Sequence, residues 1–424
     1  MASGFKNSSS VDLDNIFSIR AGTDPSTNVT GYVTSDGLDL ASRYYPFQAG
    51  MTPVTATGFK TLVSGESTDL CNVFAPPPVW NTVGTGIVTG TRVESICVVD
   101  SSNIYVAGIF TNAGGTPVTN VAKWNGSAWS SLGFSSAAFR PNAGSITVRA
   151  IVGSNVFLSY QIRNTGTGND EPYISMYNFS TWTTLTGVYA AMGGTGSRTI
   201  SDLCLLDTNT LFVSGLSFST TLGLAKYNIS GTTWTQIGDG LIKAGFIQTI
   251  NAIAKISSTQ IIVGGSINVS GGANFEGISV YNNTTGQWAQ FIASFPMVTI
   301  YSISVVSPTV VFVGGTTGVT RINDAGTGWQ NTNVTSGWSS NIVNHVYAVD
   351  SSNVYFAGNF ITTPYIRVAK WNGTSAVALG RGIPNGIVYS VAGTGTRNVY
   401  FGGTFTAASN VSVDVSMSLI TRWA

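Results

Sequence analysis

The chain has 424 residues, 43% hydrophobic and 9% charged, with 19 Lys and Arg against 18 Asp and Glu for a net charge of +1. That balance offers no electrostatic basis for binding nucleic acid or an anionic membrane, and the apolar and aromatic content excludes a disordered chain. One histidine and three cysteines argue against a histidine-ligated metal, the usual catalytic triads and a disulfide framework. Met1-Ala-Ser-Gly-Phe5 lacks the basic start of a secretory signal, and no apolar run reaches the length of a membrane span.

Residues 1–78 carry their own repeat. Gly4-Phe5 leads to Asp12-Leu13 and Phe17, Gly31-Tyr32 to Asp39-Leu40 and Tyr44, and Gly58-Phe59 to Asp69-Leu70 and Phe74. Each Asp is placed to cap a single helical turn that points its Leu and aromatic the same way. The clusters Leu13 with Phe17, Leu40 with Tyr44 and Leu70 with Phe74 are too small to make a core. This segment is therefore expected to be covered by a partner surface, whether another subunit, another component of an assembly or the flank of the chain's own repeat domain. Pro76-Pro77-Pro78 marks its end.

From residue 79 onward internal repetition dominates. Val93–Gly133 returns as Ile200–Gly238 and as Val343–Gly380, with weaker copies starting near Val148, Ile250, Tyr301 and Val388. Aligned on the aromatic of the third segment, the copies give Trp124, Tyr177, Tyr227, Tyr281, Ile322, Trp371 and Trp423, about 50 residues apart. Each copy holds four short strand patterns, the second ending in Gly, where a close backbone approach or a positive φ is expected. The prediction is an all-β fold: a seven-bladed β-propeller of four-stranded antiparallel blades over residues 79–424. The last copy stops in its third strand at Trp423-Ala424, and Val79–Gly84 matches the missing fourth. An N-terminal strand is thus expected to close the ring and cover an open sheet edge.

The copies resemble kelch-type blades. Gly264-Gly265, Gly314-Gly315 and Gly402-Gly403 keep that family's double glycine, which other copies reduce to Ala-Gly, Ser-Gly or Ser159-Tyr160. Copper radical oxidases of similar blade pattern need histidine ligands, and His345 stands alone here. Asp324–Trp329 resembles the Asp-box turn of sialidase-like propellers, which is a hairpin device and not a catalytic site. The Gly-aromatic/Asp-Leu repeats look like segments of fibre and surface proteins of large DNA viruses and tailed phages. That resemblance implies that residues 1–78 anchor or assemble while the ring is displayed.

His345 aligns with Ser95, Asp202, Ala252 and Ser302 at the starts of the innermost strands, and these residues are expected to line the central channel. Cys97 and Cys204 share one strand position and read as buried apolar residues; the repeated Trp and Tyr read as blade packing. Eleven Asn-x-Ser/Thr sequences are given no weight as modification sites. The long connections Phe110–Asn120, Phe134–Thr147, Gln161–Pro172, Ser266–Gly277 and Asn331–Val343 share one face, where a rigid scaffold carries divergent loops. Arg140, Arg163, Asp170, Glu171, Phe275 and Glu276 are the candidate interaction residues of that face. No catalytic residue, metal or cofactor is assigned.

These readings point to a non-enzymatic structural or attachment protein of a virion surface or other extracellular structure. Its expected partners are other virion or surface proteins, its own residues 1–78, and a host-surface glycan or protein, with no nucleic acid and no membrane insertion. The alternative is a carbohydrate-binding or adhesive propeller on a cell surface, and a third reading is a glycan-cleaving enzyme.

Overall fold

The computed structural model describes residues 78–424 apart from 136–145, 151–154, 195, 197, 216–222, 238–248, 267–276, 292–298, 325–328, 337, 339–341 and 411–413. Before residue 78 it describes the backbone of four short strands. The chain divides into two compact units, Met1–Pro77 and Pro78–Ala424. In the first, Phe17–Ile19 pairs with Tyr32–Thr34 and Lys60–Val63 pairs with Glu66–Asp69, both antiparallel. Asp69 therefore ends a strand where the sequence pattern suggested the cap of a helical turn. A hairpin pairs the backbone groups of so short a segment, whereas one helical turn leaves most of them open. Leu13, Leu40, Tyr44, Leu70 and Phe74 lie outside the described residues, and Phe17 is described as the first backbone position of a strand.

The second unit is a ring of seven antiparallel sheets taken in chain order. The innermost strands are Thr89–Asp100, Thr147–Ala150, Ile200–Leu205, Thr249–Lys255, Ile300–Ser307, Ile342–Asp350 and Val388–Gly393. Each of blades one to six then adds its second, third and outer strands by successive hairpins. The apolar cores lie between blades: Phe212 and Leu224 of blade three pack with Ile253 and Val263 of blade four, for example.

Blade seven borrows its outer strand from the start of the unit. Trp80–Thr82 pairs with Ile420–Trp423, and Val79 and Ala424 exchange backbone hydrogen bonds of 2.9 and 3.2 Å. The closing strand is shorter than the predicted 79–84 and stands in the predicted place. Trp80 locks it, lying edge-on to Phe401 and Trp423 with centroids 5.2 and 5.0 Å away. Its indole Nε1 donates to the Leu379 carbonyl of blade six at 3.0 Å. The same tie recurs around the rim, from Trp129 to Val83 O, Trp182 to Leu132 O and Trp234 to Thr186 O, at 3.0, 2.7 and 2.8 Å. These tryptophans pack the blades, as expected, and also pin blades seven, one, two and three each to its predecessor.

Local turn chemistry sets the hairpins. The side-chain oxygen of Asn125, Asn178, Asn228, Asn282 or Asn372 accepts the backbone N–H three residues on, closing the third-to-outer turn of five blades. Each of these asparagines heads an Asn-x-Ser/Thr sequence. Turn formation by itself accounts for those five triplets.

Candidate functional site

On six of the seven innermost strands the register against the second strand slips by one residue. The slips fall between Val93 and Ser95, Ile200 and Asp202, Ile250 and Ala252, Ile300 and Ser302, Val343 and His345, and Val388 and Ser390. Across from the first residue of each slip stands Gly108, Gly215, Gly265, Gly315, Gly358 or Gly403. A Cβ at Gly215 would lie 1.8 Å from the Thr199 carbonyl oxygen, one at Gly265 1.9 Å from that of Thr249, and one at Gly403 2.0 Å from that of Ile387. The bulged backbone comes this close because no side chain stands in its way. Blade two has Tyr160 in the glycine's place, and its described pairs begin at Thr147–Ser159, the counterpart of Ala252–Gly264 and so just past the place of the slip.

Each bulge turns one residue toward the central channel: Glu94, Ser201, Asn251, Tyr301, Asn344 and Tyr389. All are half-buried except Tyr301, which is 38% exposed. The residue that follows turns into the seam between blades. Val148 N–H donates to Ser95 Oγ at 3.2 Å, Ile253 N–H to Asp202 Oδ2 at 3.1 Å, Val346 N–H to Ser302 Oγ at 3.0 Å and Ile96 N–H to Ser390 Oγ at 3.1 Å. In blades four and six, where Ala252 and His345 take that position, the bulged amide makes the tie. Asn251 Nδ2 donates to Ile300 O at 2.8 Å and Asn344 Nδ2 to Val388 O at 2.9 Å. Thr147 Oγ1 reaches Ser201 O at 3.3 Å across the remaining seam.

This refines the sequence expectation for the channel. Ser95, Asp202 and Ser302 line the channel as expected, though buried, and also fasten neighbouring blades; Ala252 is buried outside the lining, and the residue before each of the four joins the channel wall. His345 is half-buried in the channel wall. The missed residues carry a signal: directly ahead of each aligned position, the strand holds Glu, Ser, Asn or Tyr.

The channel encloses 790 Å³. One arc of its wall, from blades five to seven, carries Tyr301, Tyr347 and Tyr389; the other carries Arg92, Glu94, Asp202 and Asn251. Glu94 Oε2 accepts the Ile146 N–H at 2.6 Å, and Oε1 meets the Arg92 guanidinium. Burial pushes the Glu94 carboxyl above its ordinary range, outweighing the opposing pull of Ile146 and Arg92. Asp202 uses both oxygens on backbone amides, Leu203 at 2.8 Å and Ile253 at 3.1 Å, and so belongs to the fold. Among the described residues no group of three or more His, Cys, Asp or Glu is placed to hold a metal ion. No helix among them is long and apolar enough to cross a membrane.

The loop-face candidates divide. Arg163 and Asp170 pair with each other at 3.3 Å, and Glu171 accepts from Asn164 Nδ2 at 2.8 Å, so the three staple one hairpin. That hairpin consists of Val156–Arg163 and Asp170–Tyr177, so half of the predicted 161–172 loop is paired strand. Arg140, Phe275 and Glu276 lie outside the described residues. Cys204 is buried and Cys97 half-buried. Asp324 and Trp329 pair across their hairpin as the Asp-box likeness implies.

No family model matches this chain. No curated protein matches it either. Solved propellers do. The β-propeller domain of the Trilobed protease from Pyrococcus furiosus aligns with 77% of this chain and 98% of its own, at 10% identity and a TM-score of 0.48. The GH74 xyloglucanase from Xanthomonas campestris aligns over 77% of this chain at 14% identity and a TM-score of 0.44; the match spans 59% of that enzyme. The soluble aldose sugar dehydrogenase from Escherichia coli aligns with 68% of this chain and 96% of its own, at 12% identity and a TM-score of 0.37. The expectation of a non-enzymatic virion, fibre or attachment protein is corrected here: the solved propellers that the chain resembles belong to a protease, a xyloglucanase and a sugar dehydrogenase. The likeness itself is one of architecture: the chain is a seven-bladed β-propeller.

Proposed function

We propose that this protein is a carbohydrate-binding propeller whose ligand enters the central channel at the bulged end. The observation that supports this is the ring of bulges, which aims two tyrosines, two asparagines, a serine and a glutamate at one cavity. Flat aromatic rings hold the apolar face of a sugar, and planar amide and carboxylate groups hold its hydroxyls. Asn251 and Asn344 each use one amide N–H on a seam, which leaves the second N–H and the oxygen for hydroxyl groups. The near absence of net charge fits a neutral polyhydroxylated ligand. Kelch-like descent of the blades and a docking role for residues 1–77 belong to the same reading.

Calorimetric titration of the full chain with a panel of neutral oligosaccharides tests it. At least one should bind, and Tyr389→Ala should weaken that binding about tenfold, the loss of one stacked ring. Absence of binding across the panel, or an unchanged affinity in the variant, would overturn the reading. One observation favours glycan cleavage at the same site: Glu94 holds its proton to higher pH than an ordinary carboxyl, as a general acid must. Release of reducing ends by the wild type, lost in Glu94→Gln, would establish it.

A further inference from the structure

In five blades the third strand carries a cation one residue ahead of the aligned position: Lys123, Lys226, Arg321, Lys370 and Arg422. In blade three, Lys226 Nζ donates to Asn283 Oδ1 of blade four at 2.8 Å, and in blade seven Arg422 donates to the Tyr400 hydroxyl. Lys370 of blade six meets no such acceptor among the described residues; its Nζ stands 5.5 Å from the centroid of the Tyr355 ring. The carboxylate whose charge it feels, Asp350, already accepts from Ser352 N–H at 2.7 Å and from Asn353 Nδ2 at 2.9 and 3.1 Å.

Lys370 borders a cavity of 430 Å³ between blades six and seven. Tyr355 and the short side chains of Val377 and Ala378 continue the wall on the blade-six side, and blade seven supplies Trp423 and the turn residues Thr396 and Arg397. Tyr355 Oη donates to Thr396 O at 2.6 Å, which fixes the Arg397 turn against blade six. Arg397 is exposed, and its charge reaches the Tyr355 hydroxyl. Burial, with Tyr347 and Asp350 acting the same way, pushes that hydroxyl up to about 12, and Arg397 pulls against them. Burial also lowers the Lys370 ammonium from its ordinary value, with Asp350 opposing. Among the described residues no carboxylate lines the cavity. Two cations thus flank one aromatic ring, with no protein counter-charge in the wall they share.

We infer that this seam binds an oxyanion, the phosphate or carboxylate group of a ligand whose remainder lies along Val377 and Trp423. The planar fork of Arg397 suits two oxygens at once. Lys370 adds a point charge from a partly desolvated position, where it acts more strongly than in water. The seam is a second site beside the channel, so the inference goes beyond the carbohydrate reading and stands or falls without it.

The test is calorimetric titration of the full chain with sodium phosphate and, in a second arm, with sodium acetate. Each is run against sodium chloride at the same ionic strength, so that screening is equal. At least one anion should bind saturably, and Arg397→Gln and Lys370→Met should each weaken it about tenfold, the loss of one charge-assisted contact. Tighter phosphate assigns the site to a phosphate ester, and tighter acetate assigns it to a carboxylate. The bound anion should also raise the Lys370 pKa, read by NMR of the lysine side chain. Lys370→Met keeps the aliphatic stem over Tyr355; should it fail to fold, Arg397→Gln, at an exposed position, carries the test by itself. No saturable binding of either anion, or binding that Arg397→Gln leaves unchanged, would overturn the inference. So would heats that chloride reproduces, which would mean an adventitious ion only.

Discussion

Blades two and four are written from one repeat and end their second strands differently. In blade four, Gly264-Gly265 lets the innermost strand bulge, and Asn251 faces the channel. In blade two the same two positions are Ser159-Tyr160, and Ser159 pairs with Thr147 as Gly264 pairs with Ala252. Tyr160 is buried, stacked on Tyr173 at 5.9 Å and edge-on to Phe134 at 5.2 Å, with its hydroxyl 2.9 Å from Ser175 Oγ. Ser159 Oγ accepts the Thr147 N–H at 3.2 Å. One position thus serves either packing or presentation. A ring at the end of the second strand fills the space between blades; a glycine there frees the neighbouring strand to bulge and bring a further side chain to the channel wall.

Three substitutions break or sharpen this contrast. Tyr160→Ala carries the largest expected effect, a loss of about 3–5 kcal/mol from an unfilled aromatic site. Denaturant unfolding checks it; a loss below about 1 kcal/mol would show that blade two does not depend on this ring. Gly265→Ala comes next. Its Cβ would stand 1.9 Å from Thr249 O, so the bulge must flatten or the strands part. The expected loss is about 1–3 kcal/mol, together with weaker saccharide binding because Asn251 is turned away. Full stability with full binding would break the link between glycine and bulge.

The smallest effect concerns pH. The folded carboxyl of Glu94 lies above its ordinary 4.5, so in the window between the two values the folded state holds more protons than the unfolded. The stability contribution of Glu94 therefore falls as pH rises from below 4.5 through the raised folded value. Glu94→Gln should gain on the wild type across that weakly acid window and run parallel to it above. Asp100, held low by hydrogen bonds from Asn103 and Ser102, acts in the opposite sense: its contribution is present above 3.8 and lost as pH falls through its lowered value. Thermal midpoints measured from pH 3 to pH 8 separate the two, and a pH-independent difference between Glu94→Gln and wild type would remove the role of burial at Glu94.

Much of the ring was legible because its signals are local. Asn125-Gly126 announces a hairpin by its own turn chemistry, and Trp423-Ala424 ends a copy whose missing strand stands at Trp80–Thr82. The site was less legible. That Ser95 ties the seam while Glu94 stands on the bulge depends on a slip against Gly108 on another strand. Asp69 misled for a related reason: a capping residue is also an acceptable strand end, and pairing with Lys60 decided between them. The virion reading failed because it leaned on short degenerate repeats and on a low count of titratable groups, neither of which reports the chemistry gathered in the channel.

By itself the sequence determined that there are seven blades, that they are antiparallel, and that the last is completed from the first. A repeat of about 50 residues buries its two faces only against neighbouring copies, and a copy cut short leaves an edge that must be covered. The tertiary structure alone decided which residue of each inner pair stands on the bulge and which ties one blade to the next. In a strand, a slip of one residue exchanges the two faces, and that slip exists only once Gly265 or its counterpart lies against the carbonyl of the strand beside it.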